Sequence, residues 1–296
     1  MNNQPLVSVP VITYNSAKFV LETLESIKAQ TYQNIELIIS DDCSTDNTVQ
    51  ICKDWVMQNK NRFIRTQIIT SDTNTGVSAN LNRAEAECQG EWVKGIAGDD
   101  ILMPNCVASC VEFAIEHNVT CLFGKIKAFG SSDQKNMYIE NNVFNYSFFD
   151  LSDTEQWRYL IFNKNCVPAA TYFYNRSRII DLGIINDERI PLLEDWPKWI
   201  NITNSGIKLQ LIDKILVSYR ISENSLSTTD SPSPKFQQSY SKLYIYYLFA
   251  PRFYSYKSIY KNAIKKYAND KCENFKIKDL DGDNNPFDDM NDSNPF

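Results

Sequence analysis

The chain has 296 residues, 43% of them hydrophobic and 12% aromatic, which is enough apolar material for one sizeable core or for one domain with a smaller annex. Its formal net charge of −6 gives no basis for expecting a nucleic-acid partner. Eight cysteines without a CxxC pair, together with a single histidine, argue against a zinc site.

The N-terminus and the apolar runs predict where the protein resides. The N-terminus lacks a basic segment followed by an apolar run, so we expect no signal peptide. The longest apolar runs fall short of the ~18–20 residues that a membrane-spanning helix needs. We therefore expect a cytoplasmic protein with reduced cysteines, either soluble or lying on a membrane surface.

Strand and helix patterns alternate four times along residues 6–117, which is typical of a parallel sheet with helices on both faces. The predicted strands and helices alternate in chain order at 6–13, 16–30, 35–40, 45–59, 63–70, 74–88, 92–96 and 104–117. Pro10 lies inside the first strand, where it cannot donate a ladder hydrogen bond. We expect a bulge there, or a strand that begins near Val11.

The pattern becomes less regular beyond residue 118. A helix is predicted at 152–162, with Ser152 as its N-cap and Glu155 at the capping-box position. The other predicted elements are a strand in 119–129, a loop at 130–145, strands within 167–174 and 208–219, and a short helix within 191–204.

The C-terminal part divides into segments of different composition. The sequence predicts a linker at 227–239, a helical extension rich in Tyr and Lys at 240–270, and an acidic, disordered tail at 271–296. The helix within 240–268 either packs on the domain or lies at a membrane surface, with its lysines toward anionic head groups. Of these two readings we favour the second.

Polar side chains follow three of the predicted strands: Tyr14-Asn15, Asp41-Asp42 and Asp99-Asp100. In open parallel sheets, ligands bind beyond the carboxyl ends of the strands. Buried carboxylates need compensation, and a hard divalent cation that also binds substrate phosphates would supply it. The alternative is that these acidic residues only cap turns and helices.

Three sequence segments carry a family resemblance: VSVPVITYN, ELIISDDCSTDNT and NTGVSANLNRAEAECQGEWVKGIAGDD. They resemble the successive motifs of the family 2 glycosyltransferases. The match is dense over residues 6–120 and continues more thinly through LLEDWPKWI and VSYRISENSLS to about residue 228. The resemblance implies a GT-A fold, a Rossmann-like, mainly parallel sheet flanked by helices. The glycosyltransferase domain would span residues 1–226, with a nucleotide-sugar-binding half at 1–120 and an acceptor-binding half at 121–226.

The resemblance also assigns the nucleotide-sugar site. The backbone at Val11 and Ile12 and the ring of Tyr14 would cradle the base, and Asp42 would accept a hydrogen bond from the base N3–H. Asp99 and Asp100 would hold the ribose or sugar and the Mn²⁺ or Mg²⁺ on the diphosphate. Which of the two binds the metal stays open, because Ala97 replaces the first acid of the DxDD pattern that many members have.

The acceptor side of the resemblance gives two further residues. Asp195 matches the general base of an inverting transferase, with Glu194 as the less favoured base. Arg220 matches a cation that approaches the diphosphate, and Ser222 stands where many members have His. The alternatives are that Glu194 and Asp195 only complement a helix dipole and that Arg220 is a surface cation.

The resemblance implies transfer of a sugar from a UDP-sugar to a glycan in bacterial O-antigen or capsule synthesis. The acceptor would be lipid-diphosphate-linked, at the inner face of the cytoplasmic membrane, with peripheral contact through 240–268. The alternatives are a nucleotidyltransferase, which would more typically show a Gly-rich basic phosphate loop, and a noncatalytic nucleotide-sugar-binding or scaffold protein.

Overall fold

The protein is represented by a computed structural model that describes residues 4–130, 144–221 and 234–248. All of these belong to one compact unit. Most of the predicted loop at 130–145, most of the predicted linker, Ser222 and the predicted acidic tail lie outside the described residues.

The described residues build one mixed sheet of nine strands in the order β3-β2-β1-β4-β8-β7-β9-β6, with β5 also beside β1. The pairs β1–β2, β2–β3, β1–β4, β1–β5 and β7–β9 are parallel. The strands are β1 Val7–Thr13, β2 Ile35–Asp41, β3 Arg65–Thr70, β4 Trp92–Val93, β5 Ile96–Ala97, β6 Ile101–Leu102, β7 Cys121–Gly130, β8 Phe173–Asn175 and β9 Leu209–Ile221.

Helices connect and cover these strands. They are α1 Val20–Lys28, α2 Thr48–Asn59, α3 Val77–Ala86, α4 Cys106–Glu116, α5 Asp153–Phe162, α6 Arg176–Asp181, α7 Asp195–Asn204 and α8 Pro234–Leu243. The predicted alternation from β1 to α4 is confirmed. The capping box of α5 is also confirmed, since Ser152 Oγ accepts from Glu155 N and the Glu155 side chain accepts from Ser152 N.

Strands β1 and β2 are interior strands of the sheet and contribute to the hydrophobic core. Both strands are rich in Val, Ile and Leu, and almost every residue in them is buried, the polar ones included. Leu24 and Ile27 of α1 join the same core cluster at 0% exposure. Burying each such side chain contributes about 1.5–3 kcal/mol relative to leaving it exposed.

The prediction of a bulge or late strand start at Pro10 is wrong. Strand β1 pairs with β2 in unbroken register from Val7 to Thr13. On the other side, Ser8 O accepts from Lys94 N and Ile12 O accepts from Gly98 N, so Pro10 faces the same side. The neighbouring strand is interrupted there, since β4 ends at Val93 and β5 begins at Ile96. The N–H that Pro10 lacks would therefore face this interruption between β4 and β5.

The C-terminal helix departs from the predicted linker boundary. It begins at Pro234, inside the predicted linker 227–239. The ring of Tyr240 meets that of Trp196 at 6.0 Å, and Tyr247 Oη donates to Asp187 Oδ2 at 3.0 Å. The described part of the extension, up to residue 248, thus packs on the domain, and its contact with a membrane stays a prediction. Residues 249–268 lie outside the described residues.

Membrane spans were sought in the helices of the described part of the chain. None of these helices is both long and apolar enough to cross a bilayer.

Candidate functional site

The loops after β1 and β2 are tied to each other by hydrogen bonds. Asn15 N donates to Ser44 Oγ at 2.7 Å, and Asn15 Oδ1 accepts from Thr45 N at 2.8 Å. Ser16 N donates to Thr48 Oγ1 at 2.8 Å. These bonds hold Tyr14, whose ring is 49% exposed, at the carboxyl end of the sheet. A planar base could therefore reach the Tyr14 ring.

Val11 and Ile12 lie deeper than predicted. Val11 is paired with Ile39 of β2, and Ile12 is paired with Ala97 of β5. The carbonyl of Ile12 already accepts from Gly98 N at 2.9 Å. Their backbone groups take part in the sheet ladders, and contact of this backbone with a base stays a prediction. Among the predicted base contacts on β1 and its loop, the structure leaves the Tyr14 ring accessible.

Asp42 is buried, and both of its carboxylate oxygens are occupied. Oδ2 accepts from Thr75 N and Gly76 N at 2.9 and 2.7 Å, and Oδ1 accepts from Thr75 Oγ1 and Arg83 Nη2 at 2.7 and 2.6 Å. Burial by itself would raise the pKa of Asp42, but the bonds from Thr75, Arg83 and Gly76 outweigh it and lower the pKa. Four bonds fill the acceptor sites of a carboxylate, so a base N3–H would have to displace one of these donors.

The other acids of this loop have structural partners. Asp41 Oδ2 accepts from Thr13 Oγ1 and Ser44 Oγ at 2.7 and 2.6 Å. Asp46 Oδ1 accepts from Thr48 N at 3.0 Å, at the start of α2. The capping alternative therefore fits Asp46. Asp41 bonds to β1 and to its own loop, and Asp42 bonds to residues before and on α3.

Asp99 and Asp100 lie in the turn after β5, beside the end of β1. Asp99 is partly exposed, whereas Asp100 is 2% exposed and accepts from Arg220 N at 2.8 Å. Burial raises the pKa of Asp99, and burial together with the charge of Asp99 raises the pKa of Asp100 well above its usual range. Two neighbouring carboxylates that disfavour each other's ionisation are stabilised by a cation between them.

Arg220 holds the Asp99-Asp100 turn in place through its side chain. Its Nε donates to Asp99 O at 2.8 Å, and its Nη2 donates to Glu22 Oε2 at 2.8 Å. The guanidinium lies between the rings of Phe19 and Phe129, at 4.2 and 4.4 Å from their centroids. With a side chain only 10% exposed, Arg220 is not the surface cation of the alternative reading. Its direct contact with a diphosphate stays a prediction.

Glu194 and Asp195 lie at the start of α7. Asp195 Oδ2 accepts from Asn165 Nδ2 at 2.5 Å, and its Oδ1 accepts from Trp196 N at 2.7 Å. Burial raises the pKa of Asp195. Burial and the charge of Asp195 raise the pKa of Glu194 to about 8. A carboxylate with a raised pKa is a stronger proton acceptor, which suits a general base.

Contacts connect the predicted donor side with the segment that leads to Asp195. Gly76, which donates to Asp42, has a φ of 93°, and a Cβ there would lie 2.8 Å from Pro191 Cβ. Ser78 Oγ donates to Ile190 O at 2.7 Å. Asp42 thus follows β2 and Asp99-Asp100 follow β5, on the two strands that flank β1. The segment that leads to Asp195 contacts the start of α3, next to Asp42. That these acids share one site stays a prediction.

The described residues limit how a metal ion could be held. They contain no group of three or more His, Cys, Asp or Glu side chains arranged to hold a metal ion. The Asp99-Asp100 pair fits the other mode, in which one or two carboxylates share Mg²⁺ or Mn²⁺ with substrate phosphates and waters. The donor set fits a metal–diphosphate complex and not an all-protein cage.

Sequence reasoning missed the partners of the predicted residues. Arg83 and Thr75 hold Asp42, Glu22 holds Arg220, and Asn165 holds Asp195. The role of Arg83 could have been suspected from the sequence. It is a basic residue inside the motif NTGVSANLNRAEAECQGEWVKGIAGDD, which ends at Asp99-Asp100. For Asn165 no local pattern exists, because its partner is thirty positions away along the chain.

The fold and the carboxylates at the strand ends define a GT-A-type α/β protein. TarS of S. aureus, solved in complex with UDP-GlcNAc, superposes with a TM-score of 0.63 at 22% identity, over 81% of this chain and 66% of that one. This likeness concerns the fold. The chain belongs to glycosyl transferase family 2, whose family model matches residues 8–179.

Two curated relatives illustrate the family assignment. GlyG, a glycosyltransferase of Streptococcus pneumoniae, is 32% identical over 128 residues, which cover 43% of this chain and 41% of GlyG. The match thus spans less than half the length of that relative. WfaP of Escherichia coli, a UDP-Glc:α-D-GlcNAc-diphosphoundecaprenol β-1,3-glucosyltransferase, is 26% identical over 223 residues, which cover 75% of this chain and 80% of WfaP.

Proposed function

We propose that this chain transfers a sugar from a UDP-sugar to a glycan acceptor, with inversion at the anomeric carbon. The observation that carries the proposal is the Asp99-Asp100 turn, fixed between the end of β1 and Arg220 in a family 2 domain. The UDP-glucose in the name of WfaP favours a UDP-sugar.

The divalent cation, Mn²⁺ or Mg²⁺, would be held by Asp99 and Asp100 with the donor diphosphate. When bound, it would neutralise the charge that develops on the leaving UDP. Asp99 is the member of the pair with exposed surface, so we assign it the first contact with the donor. Asp100 keeps the turn in place through Arg220 N.

The chemistry of transfer requires one proton acceptor on the acceptor side. The acceptor hydroxyl oxygen forms the new bond to the anomeric carbon as the bond from that carbon to the UDP oxygen breaks. The Asp195 carboxylate takes the hydroxyl proton in the same step. Asn165 and Trp196 N fix the two oxygens of that carboxylate, and the proton would go to a free lone pair of either.

The base of the donor would lie against the Tyr14 ring. Asp42 would accept from the base N3–H after Arg83 or Thr75 gives up one of its bonds.

The pathway follows from the relatives. We propose that the acceptor is a lipid-diphosphate-linked saccharide in bacterial cell-surface polysaccharide synthesis, such as O-antigen or capsule, since WfaP acts on a diphosphoundecaprenol-linked sugar. The protein would then work in the cytoplasm at the inner face of the membrane. Peripheral contact would fall to residues 249–268, beyond the packed part of the C-terminal segment.

A donor screen tests the function. The chain is incubated with UDP-glucose, UDP-GlcNAc or a GDP-sugar, with Mn²⁺ or with EDTA, and free nucleotide diphosphate is measured. We expect metal-dependent release of UDP from at least one UDP-sugar. Thermal stabilisation by UDP without any turnover would instead indicate the noncatalytic binding protein.

Two variants separate the predicted roles. Asp195→Asn should lower kcat by about 10²–10⁴-fold while UDP affinity with Mn²⁺ stays unchanged, because only the proton acceptor is lost. Asp99→Asn should weaken Mn²⁺-dependent UDP binding, measured by calorimetry. Asp181→Asn, at an exposed position at the end of α6, is the matched control. Full activity of the Asp195 variant would reject it as the base.

A further inference from the structure

Lys198 is a buried cation one helical turn beyond Asp195. Its side chain is 2% exposed, and its Nζ lies 2.8 and 2.9 Å from the two carboxylate oxygens of Glu85. The same Nζ donates to Tyr174 Oη at 3.3 Å and lies 4.6 Å from the centroid of that ring. Lysine is almost never buried to this extent unless it is paired, so the pair is a specific feature of this fold.

Glu85 lies on α3, which contacts both predicted halves of the site. At its beginning, Gly76 N donates to Asp42, and Ser78 N and Oγ donate to Pro191 O and Ile190 O. Toward its end, Glu85 receives the Lys198 ammonium. The segment before Asp195 and the helix after it are therefore both attached to the same helix, at points seven residues apart.

We propose that Lys198 and Glu85 form a positioning pair that fixes the start of α7 to α3 and so holds the acceptor-side base at its working distance from the donor. This proposal rests on the proposed function. Displacing a reacting group by about 1 Å costs on the order of 10²-fold in rate, so a tie at this point governs transfer more than donor binding.

The Lys198–Glu85 pair also affects the pKa of Glu194, because Lys198 is one of the charges around it. Glu194 faces Asp195 and Lys198 on its own helix, and Tyr172 on the segment before β8. The ammonium of Lys198 lowers the pKa of Glu194 against the larger effects of burial and of Asp195. Removing that charge moves the ionisation of the coupled Glu194–Asp195 pair to higher pH.

The experiment compares four full-length variants with the wild type: Lys198→Met, Glu85→Gln, the double variant, and Lys53→Met as a control at an exposed position on α2. Two readouts are used. Hydrogen exchange is measured for the amides of residues 190–196 and, as an internal reference, 36–41. UDP release from UDP-glucose and UDP-GlcNAc with Mn²⁺ is measured from pH 5 to 9, together with calorimetric UDP binding.

The proposal predicts a defined pattern. Lys198→Met and Glu85→Gln should each speed exchange in 190–196 by about tenfold and leave 36–41 unchanged, since the tie limits local opening. Lys198→Met should lower kcat by about tenfold or more, change UDP affinity by less than about threefold, and move the acid limb of its pH profile upward. The double variant removes both buried charges, so it should regain folding stability but not the wild-type pH profile.

Other outcomes overturn the proposal. Unchanged exchange in 190–196 would show that the pair does not hold this segment. A uniform loss of UDP affinity and kcat without a moved acid limb would assign the pair to general stability alone. If the wild type releases no UDP from either donor, the proposed function has failed, and the exchange measurement still decides whether the pair ties α7 to α3.

Discussion

The side chain of Arg220 is only 10% exposed and contacts four other residues. It joins the Asp99-Asp100 turn to Glu22 on α1 and lies between two aromatic rings. Because its planar fork donates to several acceptors at once, the guanidinium fixes the position of the Asp99-Asp100 turn relative to α1. The Asp99-Asp100 turn is thus held by a residue 120 positions away along the chain.

We predict that Arg220→Gln lowers the free energy of unfolding by about 2 kcal/mol, because Asp99 O loses its donor and two cation–π contacts disappear. Urea unfolding measures this loss. Glu22→Gln is the matched control, since Glu22 is half-exposed and its ion pair contributes less than about 1 kcal/mol. Equal losses in the two variants would contradict the assigned role of Arg220.

Glu194 makes stability depend on pH. Its pKa rises from an ordinary value of 4.5 to about 8 in the fold, so the folded chain keeps a proton that the unfolded chain releases. Its contribution is therefore fully present below about pH 4.5 and is lost as pH rises toward 8, by at most about 1.4 kcal/mol per pH unit.

We predict that Glu194→Gln, which cannot ionise, gains stability relative to the wild type as pH rises from 5 to 8. Urea unfolding at each pH unit measures the difference. Glu112→Gln, at an exposed site on α4, should show no such trend. A constant difference across the range would mean that Glu194 ionises normally in the fold.

Helix α8 and the π-helical turn Tyr244–Leu248 that follows it are held on the domain by aromatic residues. Besides the Trp196–Tyr240 ring pair, Tyr247 Oη donates to Asp187 Oδ2 at 3.0 Å, and Arg189 lies 4.1 Å from the Tyr246 ring. The tyrosines that suggested a membrane boundary are thus used, up to residue 248, to cover the domain.

We predict that Tyr247→Phe costs about 1–2 kcal/mol of unfolding free energy, because it removes a buried hydrogen bond to a carboxylate. Tyr246→Phe keeps the ring over Arg189 and should cost less than about 0.5 kcal/mol. Thermal unfolding of both variants compares them directly. A larger loss for Tyr246→Phe would show that the helix is held in another way.

Local patterns predicted those elements that local physics determines. Apolar runs gave β1 and β2, and the Ser152–Glu155 pair gave the start of α5, because strand burial and capping act over a few residues. The site acids at strand ends followed from the same patterns with the family resemblance. The accessibility of each acid did not follow, since it depends on partners such as Arg83 and Asn165 that come from other elements.

One wrong prediction, at Pro10, and one feature that was not predicted, the pairing of Lys198, show where tertiary contacts override local rules. Pro10 was expected to distort β1, but the gap between β4 and β5 accommodates it, and no pattern in β1 records that gap. Lys198 stands between Trp196 and Trp199 in a helix segment that is buried on all sides, and its partner Glu85 lies 113 positions earlier. Pairing across such distances is visible only in the folded chain.

At the scale of the whole domain, the parallel strands β1 to β5 carry the predicted donor residues, and the elements from α5 to β9 carry the predicted base. Helix α3 contacts both groups, through Gly76 and Ser78 at its start and Glu85 near its end. Helix α3 therefore connects the two groups of predicted residues, and Arg220 on β9 fixes the Asp99-Asp100 turn.

A crystal structure of the full chain with UDP and Mn²⁺ tests this arrangement most directly. We predict that the cation lies on Asp99 or Asp100 and bridges the diphosphate, that the uracil ring lies against Tyr14, and that the Asp195 carboxylate faces the terminal phosphate. UDP bound away from these carboxylates, or Asp195 pointing away from the bound nucleotide, would contradict it.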